Sequence, residues 1–154
     1  MRNRSERDLP SPSSFIQFDQ TALGGKNDGM ADFGMAYVPA ACLAGSNASG
    51  SGCRLHLHFH GTRMNIEGCH RLHRPWDCGQ DAYGRFVSTP DSAHSGFNNW
   101  AEANQIVVVY PQTSGDAWAT SGAKRDGYAW KSAPQMMSVQ RIMNAFHRGT
   151  AGSV

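Results

Sequence analysis

The sequence has little net charge, no long hydrophobic run and no G-x-S-x-G motif. Its formal net charge is +2 over 154 residues, and its 14 lysines and arginines are scattered, so we expect no nucleic-acid partner. No apolar run approaches the ~18 residues of a membrane-spanning helix, so we expect no membrane partner either. The only glycines four residues apart, Gly25 and Gly29, enclose Asn27, which rules out a G-x-S-x-G nucleophile elbow within the chain. What is present, 40% hydrophobic and 17% charged residues, is typical of one globular domain.

The first fourteen residues are polar, with arginines at positions 2, 4 and 7 and prolines at positions 10 and 12. They lack the apolar segment of a secretory signal, so we interpret residues 1–14 as a flexible arm before a domain that spans residues 15–154. The localisation stays open.

The four cysteines form two local pairs, Cys42 with Cys53 and Cys69 with Cys78. Each pair brackets a short stretch rich in glycine, serine or proline, which favours two short-loop disulfides. Four reduced thiols, or a metal site that uses Cys69 and Cys78, are the alternatives.

Hydrophobic periodicity predicts strands at 15–20, 35–38, 54–60 and 106–110, with helices at about 97–103 and 133–146. Residues 106–110 (IVVVY) form an uninterrupted β-branched run, typical of a strand buried on both faces. Strand, helix, strand, helix is a βαβα order, which predicts an α/β fold with a small, mostly parallel sheet and flanking helices. In the last helix, four apolar residues recur at helical spacing: Met136, Val139, Met143 and Phe146.

The turn His60-Gly61-Thr62 directly follows a predicted strand. Ligands bind beyond the carboxyl ends of parallel strands, and a glycine there lets the chain turn sharply and present free backbone N–H groups. Such groups stabilise the oxyanion of an acyl-transfer intermediate. The same dipeptide in many proteins is a simple turn.

Metal binding is the rival interpretation of this segment. His56, His58 and His60 alternate along one face of the strand, opposite Leu55, Leu57 and Phe59. Three in-line histidines span ~13 Å, too far for all to reach one ion, although two could bind zinc with a further ligand from the loop that holds Cys69, His70, His73, Cys78 and His94. We expect neither a metal nor another cofactor.

Trp118 and Trp130 flank a polar loop. They either present a flat apolar surface to a polymer or pack in the core.

Five segments in order resemble the carboxy-terminal half of the poly(3-hydroxybutyrate) (PHB) depolymerases: FIQFDQ (15–20), GMADFGMAYVPAAC (29–42), CRLHLHFHG (53–61), GFNNWAEANQIVVVYPQ (96–112) and SAPQMMSVQRIM (132–143). The resemblance implies a partial α/β-hydrolase fold, a disulfide between Cys42 and Cys53, and an oxyanion loop at His60-Gly61, with the N–H of Thr62 as donor. In the family, Trp118 falls at the first position of a tryptophan-rich segment, so it is the candidate substrate-binding residue.

The chain also departs from the family. The resemblance places the Ser-His-Asp triad upstream, so none of the triad is present here. Thr62 and Ala117 stand where the family carries cysteines, and backbone oxyanion donation does not require a cysteine at position 62.

These features predict part of a PHB-type carboxylic ester hydrolase that is inactive without an upstream half, its partners being that half and a polyester or short hydroxyalkanoate ester. A non-catalytic polyester-binding remnant is the second hypothesis, and a His/Cys zinc-binding domain is the third.

Overall fold

The computed structural model describes residues 15–43, 52–62, 97–115, 117–118, 128 and 130–147. The arm at 1–14 and the pair Cys69–Cys78 lie outside these residues. The strands are β1 (Phe15–Asp19), β2 (Phe33–Tyr37), β3 (Arg54–Leu57) and β4 (Ile106–Tyr110). The α-helices are α1 (Phe97–Asn104) and α2 (Pro134–His147), and short 3-10 turns occupy Thr21–Leu23, Gly25–Asp28 and Ala40–Cys42. Neither α-helix of this described part has the length and apolar character to cross a membrane.

The four strands form one sheet in the order β1-β2-β4-β3. β3 and β4 are parallel, whereas β1–β2 and β2–β4 are antiparallel, so the described sheet is mixed and the expectation of a mostly parallel sheet is wrong for it. The connection between β1 and β2 explains the difference. It contains only two 3-10 turns, whereas a parallel pair requires a crossover, usually through an α-helix.

Each helix packs on a different face of the sheet. On one face, Ala101 of α1 joins a cluster with Met35, Tyr37, Val108 and Tyr110. On the other, Ile142 of α2 joins a cluster formed by Phe18, Met30, Ala36 and Val109. Because neighbouring residues of a strand point to opposite faces, β4 contributes alternately to both cores. The prediction that this strand is buried on both faces is therefore confirmed at its carboxyl end.

Helix α2 is rotated relative to the predicted apolar stripe. Its fully buried residues are Ser138 and Ile142, whereas Met136 and Met143 are 46% and 41% exposed. The cause is polar. Ser138 Oγ donates to Asp28 Oδ2 at 2.8 Å, and Arg141 Nη1 contacts the same oxygen at 3.2 Å.

Gly24 makes this contact possible, since a Cβ at that position would lie 1.8 Å from Ser138 Oγ. Its φ of 146° also lies in a region that L side chains rarely adopt. Periodicity alone does not record such a contact, which explains why Met136 and Met143 of the predicted stripe are exposed, whereas Phe146 packs on the core edge to face with Phe18.

Two further links tie the loops to the sheet. A disulfide joins Cys42, just after β2, to Cys53, just before β3, as the resemblance implied. Glu102 of α1 accepts hydrogen bonds from the Tyr37 hydroxyl at 2.6 Å and from the Ala40 N–H at 3.2 Å. The start of β3 and the end of β2 are therefore fixed close to α1.

Candidate oxyanion loop

The carboxyl ends of β3 and β4 bring two loops together. His60-Gly61-Thr62 lies three residues beyond β3, and Pro111 to Gly115 follow β4 directly. Because parallel strands end at the same edge of a sheet, the loops lie side by side. The contact is direct: His60 Nε2 lies 3.2 Å from Thr113 Oγ1.

His60 is the buried anchor of its loop, with 5% of its surface exposed. Its Nδ1 lies 2.8 Å from the carbonyl oxygen of Gly61, and its Nε2 contacts Thr113. Since a carbonyl oxygen only accepts hydrogen bonds, the first contact requires a proton on Nδ1. The Thr113 hydroxyl donates its proton to the carbonyl oxygen of Gly115 at 2.6 Å, so Nε2 lies against the Thr113 oxygen, and both ring nitrogens face other residues of the two loops.

Burial also sets the protonation of this region. Desolvation lowers the pKa of His60 below its ordinary value of 6.5, against a smaller opposite effect of the Gly61 carbonyl. The pKa of His58 is lowered too, first by desolvation and then by the nearby charges of His56 and His60. The neutral imidazoles are therefore favoured in the folded protein.

Beyond His60 the chain emerges at the surface. Gly61 and Thr62 are both exposed. Among the residues that the structure describes, none accepts a hydrogen bond from the N–H of either residue. An exposed peptide on a buried anchor is the arrangement that an oxyanion donor requires, because the donor must be both reachable and held.

Trp118 lies beneath this loop. Its indole Nε1–H donates to the carbonyl oxygen of His60 at 3.1 Å. Its ring is partly buried against the α2-side core and meets Phe59 edge to face, with centroids 4.9 Å apart. Phe59 itself is 48% exposed, so it carries the open side of this aromatic pair.

The loop after β4 is held by a residue that the sequence did not single out. Gln20 is fully buried, and its Nε2 donates to the carbonyl oxygens of Ala31 at 2.8 Å and Gln112 at 3.0 Å. Its Oε1 accepts from the N–H of Gln112 at 3.0 Å. The backbone next to Thr113 is therefore fixed through the end of β1.

The three alternating histidines do not converge. His56 is exposed, His58 packs edge to face on Tyr110 at 5.5 Å, and His60 is turned into the loop contacts. No group of three histidine, cysteine or acidic side chains suited to a metal ion occurs in the part of the chain that is described. The further candidates Cys69, His70, His73, Cys78 and His94 lie outside that part.

Sequence reasoning missed Thr113, Gln20 and Phe59 as partners of the loop. A polar pair one residue beyond a buried strand, as in Gln112-Thr113, is a signal that identifies Thr113. Phe59 was assigned to the apolar face of the strand together with Leu55 and Leu57. Those two leucines do pack on the α2-side core, whereas Phe59 lies past the end of β3 and is half exposed. Gln20 gives no sequence signal.

Two solved structures have a fold similar to that of this chain. A PHB depolymerase from Penicillium funiculosum matches with a TM-score of 0.57 and 24% identity, covering 84% of this chain and 39% of that one. A PHB depolymerase complexed with an R3HB trimer matches with a TM-score of 0.57 and 22% identity over the same shares. These likenesses show the fold.

Two sequence relatives are also PHB depolymerases. The chain is 35% identical over 154 residues to a poly(3-hydroxybutyrate) depolymerase of Delftia acidovorans, and this alignment covers 97% of this chain and 26% of that protein. It is 28% identical over 103 residues to a polyhydroxybutyrate depolymerase of Talaromyces funiculosus, covering 67% of this chain and 24% of the relative. No protein-family model matches. The resemblance to the PHB depolymerases is confirmed: over its matched length the chain is a homologue of these proteins, and it spans about a quarter of their length.

Proposed function

We propose that this chain supplies the oxyanion loop and one part of the sheet of a polyhydroxyalkanoate ester hydrolase. The observation that carries the proposal is the exposed Gly61–Thr62 peptide held on the buried His60 at the carboxyl end of β3. Since the chain contains no G-x-S-x-G motif, the nucleophile comes from sequence outside these 154 residues.

The reaction assigns a defined task to this loop. A serine hydroxyl attacks the ester carbonyl, and the carbonyl oxygen becomes an oxyanion in the tetrahedral intermediate. The N–H of Thr62 donates to that oxygen, and the contact strengthens as the charge develops. Phe59 and the ring of Trp118 form an aromatic wall beside the loop, suited to the apolar methyl and methylene groups of a hydroxyalkanoate chain.

The sheet supports a larger assembly. β3 lies at an edge of the described sheet, and its N–H donors at Arg54 and His58 are directed to the β4 side. The N–H and C=O groups of Leu55 and Leu57 alternate with these and so face the other side, where the described residues provide no strand. Such an edge favours pairing with a further strand. We therefore propose that residues 15–154 form one part of an α/β-hydrolase fold and that an upstream half completes it.

Fragment complementation tests the proposal. The chain alone should not hydrolyse 3-hydroxybutyrate esters. Addition of the part of the Delftia acidovorans depolymerase that the alignment leaves uncovered should restore hydrolysis. In the complemented enzyme, Thr62→Pro removes the N–H and should lower kcat by about 100- to 1000-fold.

The matched control is Thr62→Ala, which keeps the N–H and should retain most of the activity. Circular dichroism of both variants checks that the fold survives. Equal losses in the two variants would mean that the backbone donor is not what position 62 contributes, and the assignment of the loop would fail.

A second candidate function is polyester binding without cleavage. The half-exposed Phe59 against Trp118 favours it, because such a surface binds apolar polymer in the absence of any nucleophile. This function predicts that the isolated chain adsorbs to PHB granules without releasing monomer, and that Phe59→Ala weakens the adsorption. Phe33→Ala, at a residue 50% exposed on β2, is the control.

A further inference from the structure

Two successive peptide groups of the loop are each held by their carbonyl oxygen. The oxygen of His60 accepts from the Trp118 indole at 3.1 Å, and the oxygen of Gly61 accepts from the His60 ring at 2.8 Å. Each carbonyl belongs to the same planar peptide as the N–H of the next residue. In a trans peptide the C=O and N–H groups point in opposite directions, and the structure contains no cis peptide among its described residues.

The direction of both donors follows from this geometry. Trp118 holds the His60 carbonyl toward the partly buried indole, so the N–H of Gly61 points the opposite way. The buried His60 ring holds the Gly61 carbonyl, so the N–H of Thr62 points away from that ring. Both N–H groups belong to exposed residues.

From these contacts we infer that Trp118, through its indole N–H, is a positioning residue for the oxyanion loop. The inference rests on the proposed function and adds a task to a residue otherwise assigned only to substrate contact. The ring of Trp118 lies with Phe59 beside the proposed substrate position, whereas its N–H fixes the His60–Gly61 peptide, which orients the next peptide and therefore the Thr62 donor. The second peptide, Gly61–Thr62, is held by the His60 ring, and the buried contact with Thr113 keeps that ring in place.

The variant Trp118→Phe separates the two tasks, because phenylalanine retains an aromatic face and removes the donor. Trp100→Phe is the matched control, since Trp100 lies on α1 and is 53% exposed. In NMR spectra of the dilute 15N-labelled chain, Trp118→Phe should shift the backbone amide signals of Gly61 and Thr62 and lower their order parameters. Trp100→Phe should leave both unchanged.

In the complemented enzyme, Trp118→Phe should lower kcat by about 10- to 100-fold at an unchanged KM, because a misplaced donor acts on the transition state alone. An increased KM at unchanged kcat would instead make Trp118 a substrate contact only and overturn the inference. Unmoved amide signals would also overturn it.

Two further measurements separate a failure of this inference from a failure to fold or a failure of the proposed function. If Trp118→Phe does not fold, replacement of Trp118 by 3-benzothienylalanine keeps the bicyclic shape and removes only the N–H. If the complemented wild-type protein has no esterase activity, the proposed function fails, and the amide signals still decide whether Trp118 orients the loop.

Discussion

Replacing Gln20 by methionine should lower the free energy of unfolding by about 3 kcal/mol, because the substitution removes hydrogen bonds to buried backbone groups. Gln20 is fully buried and Gln112 is 1% exposed, so water cannot replace the lost hydrogen bonds. Methionine has a similar length and fills the site, so the loss reports on hydrogen bonding rather than on a cavity.

The magnitude follows from the partners that remain. The N–H of Gln112 loses the Gln20 Oε1 acceptor, and the carbonyl of Ala31 loses the Nε2 donor. The carbonyl of Gln112 keeps the N–H of Ala31 at 2.9 Å. The hydrogen bonds lost at these two groups account for about 1–3 kcal/mol each, partly relieved by local relaxation. Gln20→Ala adds a cavity and should cost more.

Urea unfolding monitored by circular dichroism measures the effect. Gln17→Met is the matched control, because Gln17 lies exposed on the same strand and should change stability by less than about 0.5 kcal/mol. A loss below about 1 kcal/mol for Gln20→Met, or an equal loss in both variants, would refute the claim that this side chain holds the loop after β4.

Three other predictions concern the whole chain. Replacing Cys42 and Cys53 together by serine should cost about 3 kcal/mol by the chain-entropy account of a loop with a sequence separation of 11, and an unchanged urea midpoint would contradict it. Because the pKa values of His58 and His60 are lowered in the folded protein, the unfolded chain binds protons first as the pH falls below about 6.5. Stability should therefore be full above that pH and decline below it, and His58→Gln should flatten the decline; a wild-type curve that rises on acidification would reverse the argument. Because β3 lies at an edge of the sheet that the described residues form, the isolated chain should self-associate, and a monodisperse monomer with sharp two-state unfolding in sedimentation and thermal measurements would count against it.

The sequence predicted the existence of the elements better than their relations. All four strands and both α-helices occur within a few residues of their predicted positions, because alternation and β-branched runs reflect local burial. Strand direction depends on how the connections close. The segment between β1 and β2 contains enough residues for a crossover, but its glycines form 3-10 turns and the strands pair antiparallel.

The site shows the same division. The His60 turn was predicted from its position after a strand, and the fold brings it against Thr113. The hydrogen bonds that hold the two loops could not be found from a sequence pattern. Gln20 lies 92 residues before its partner Gln112, and Trp118 lies 58 residues after its partner His60. Contacts at such separations depend on the register of the sheet, which a single sequence does not encode in any local period.

The proposed function tolerates a threonine at position 62, where the resemblance implies a cysteine. Oxyanion donation at position 62 uses the backbone, which every residue except proline carries, so Thr62 leaves the donor intact. What the chemistry requires is the direction of that donor, and here it depends on hydrogen bonds from the His60 ring and the Trp118 indole to two carbonyl oxygens. The proposed function therefore predicts that activity is more sensitive to His60, Thr113 and Trp118 than to the side chain at the donor position itself.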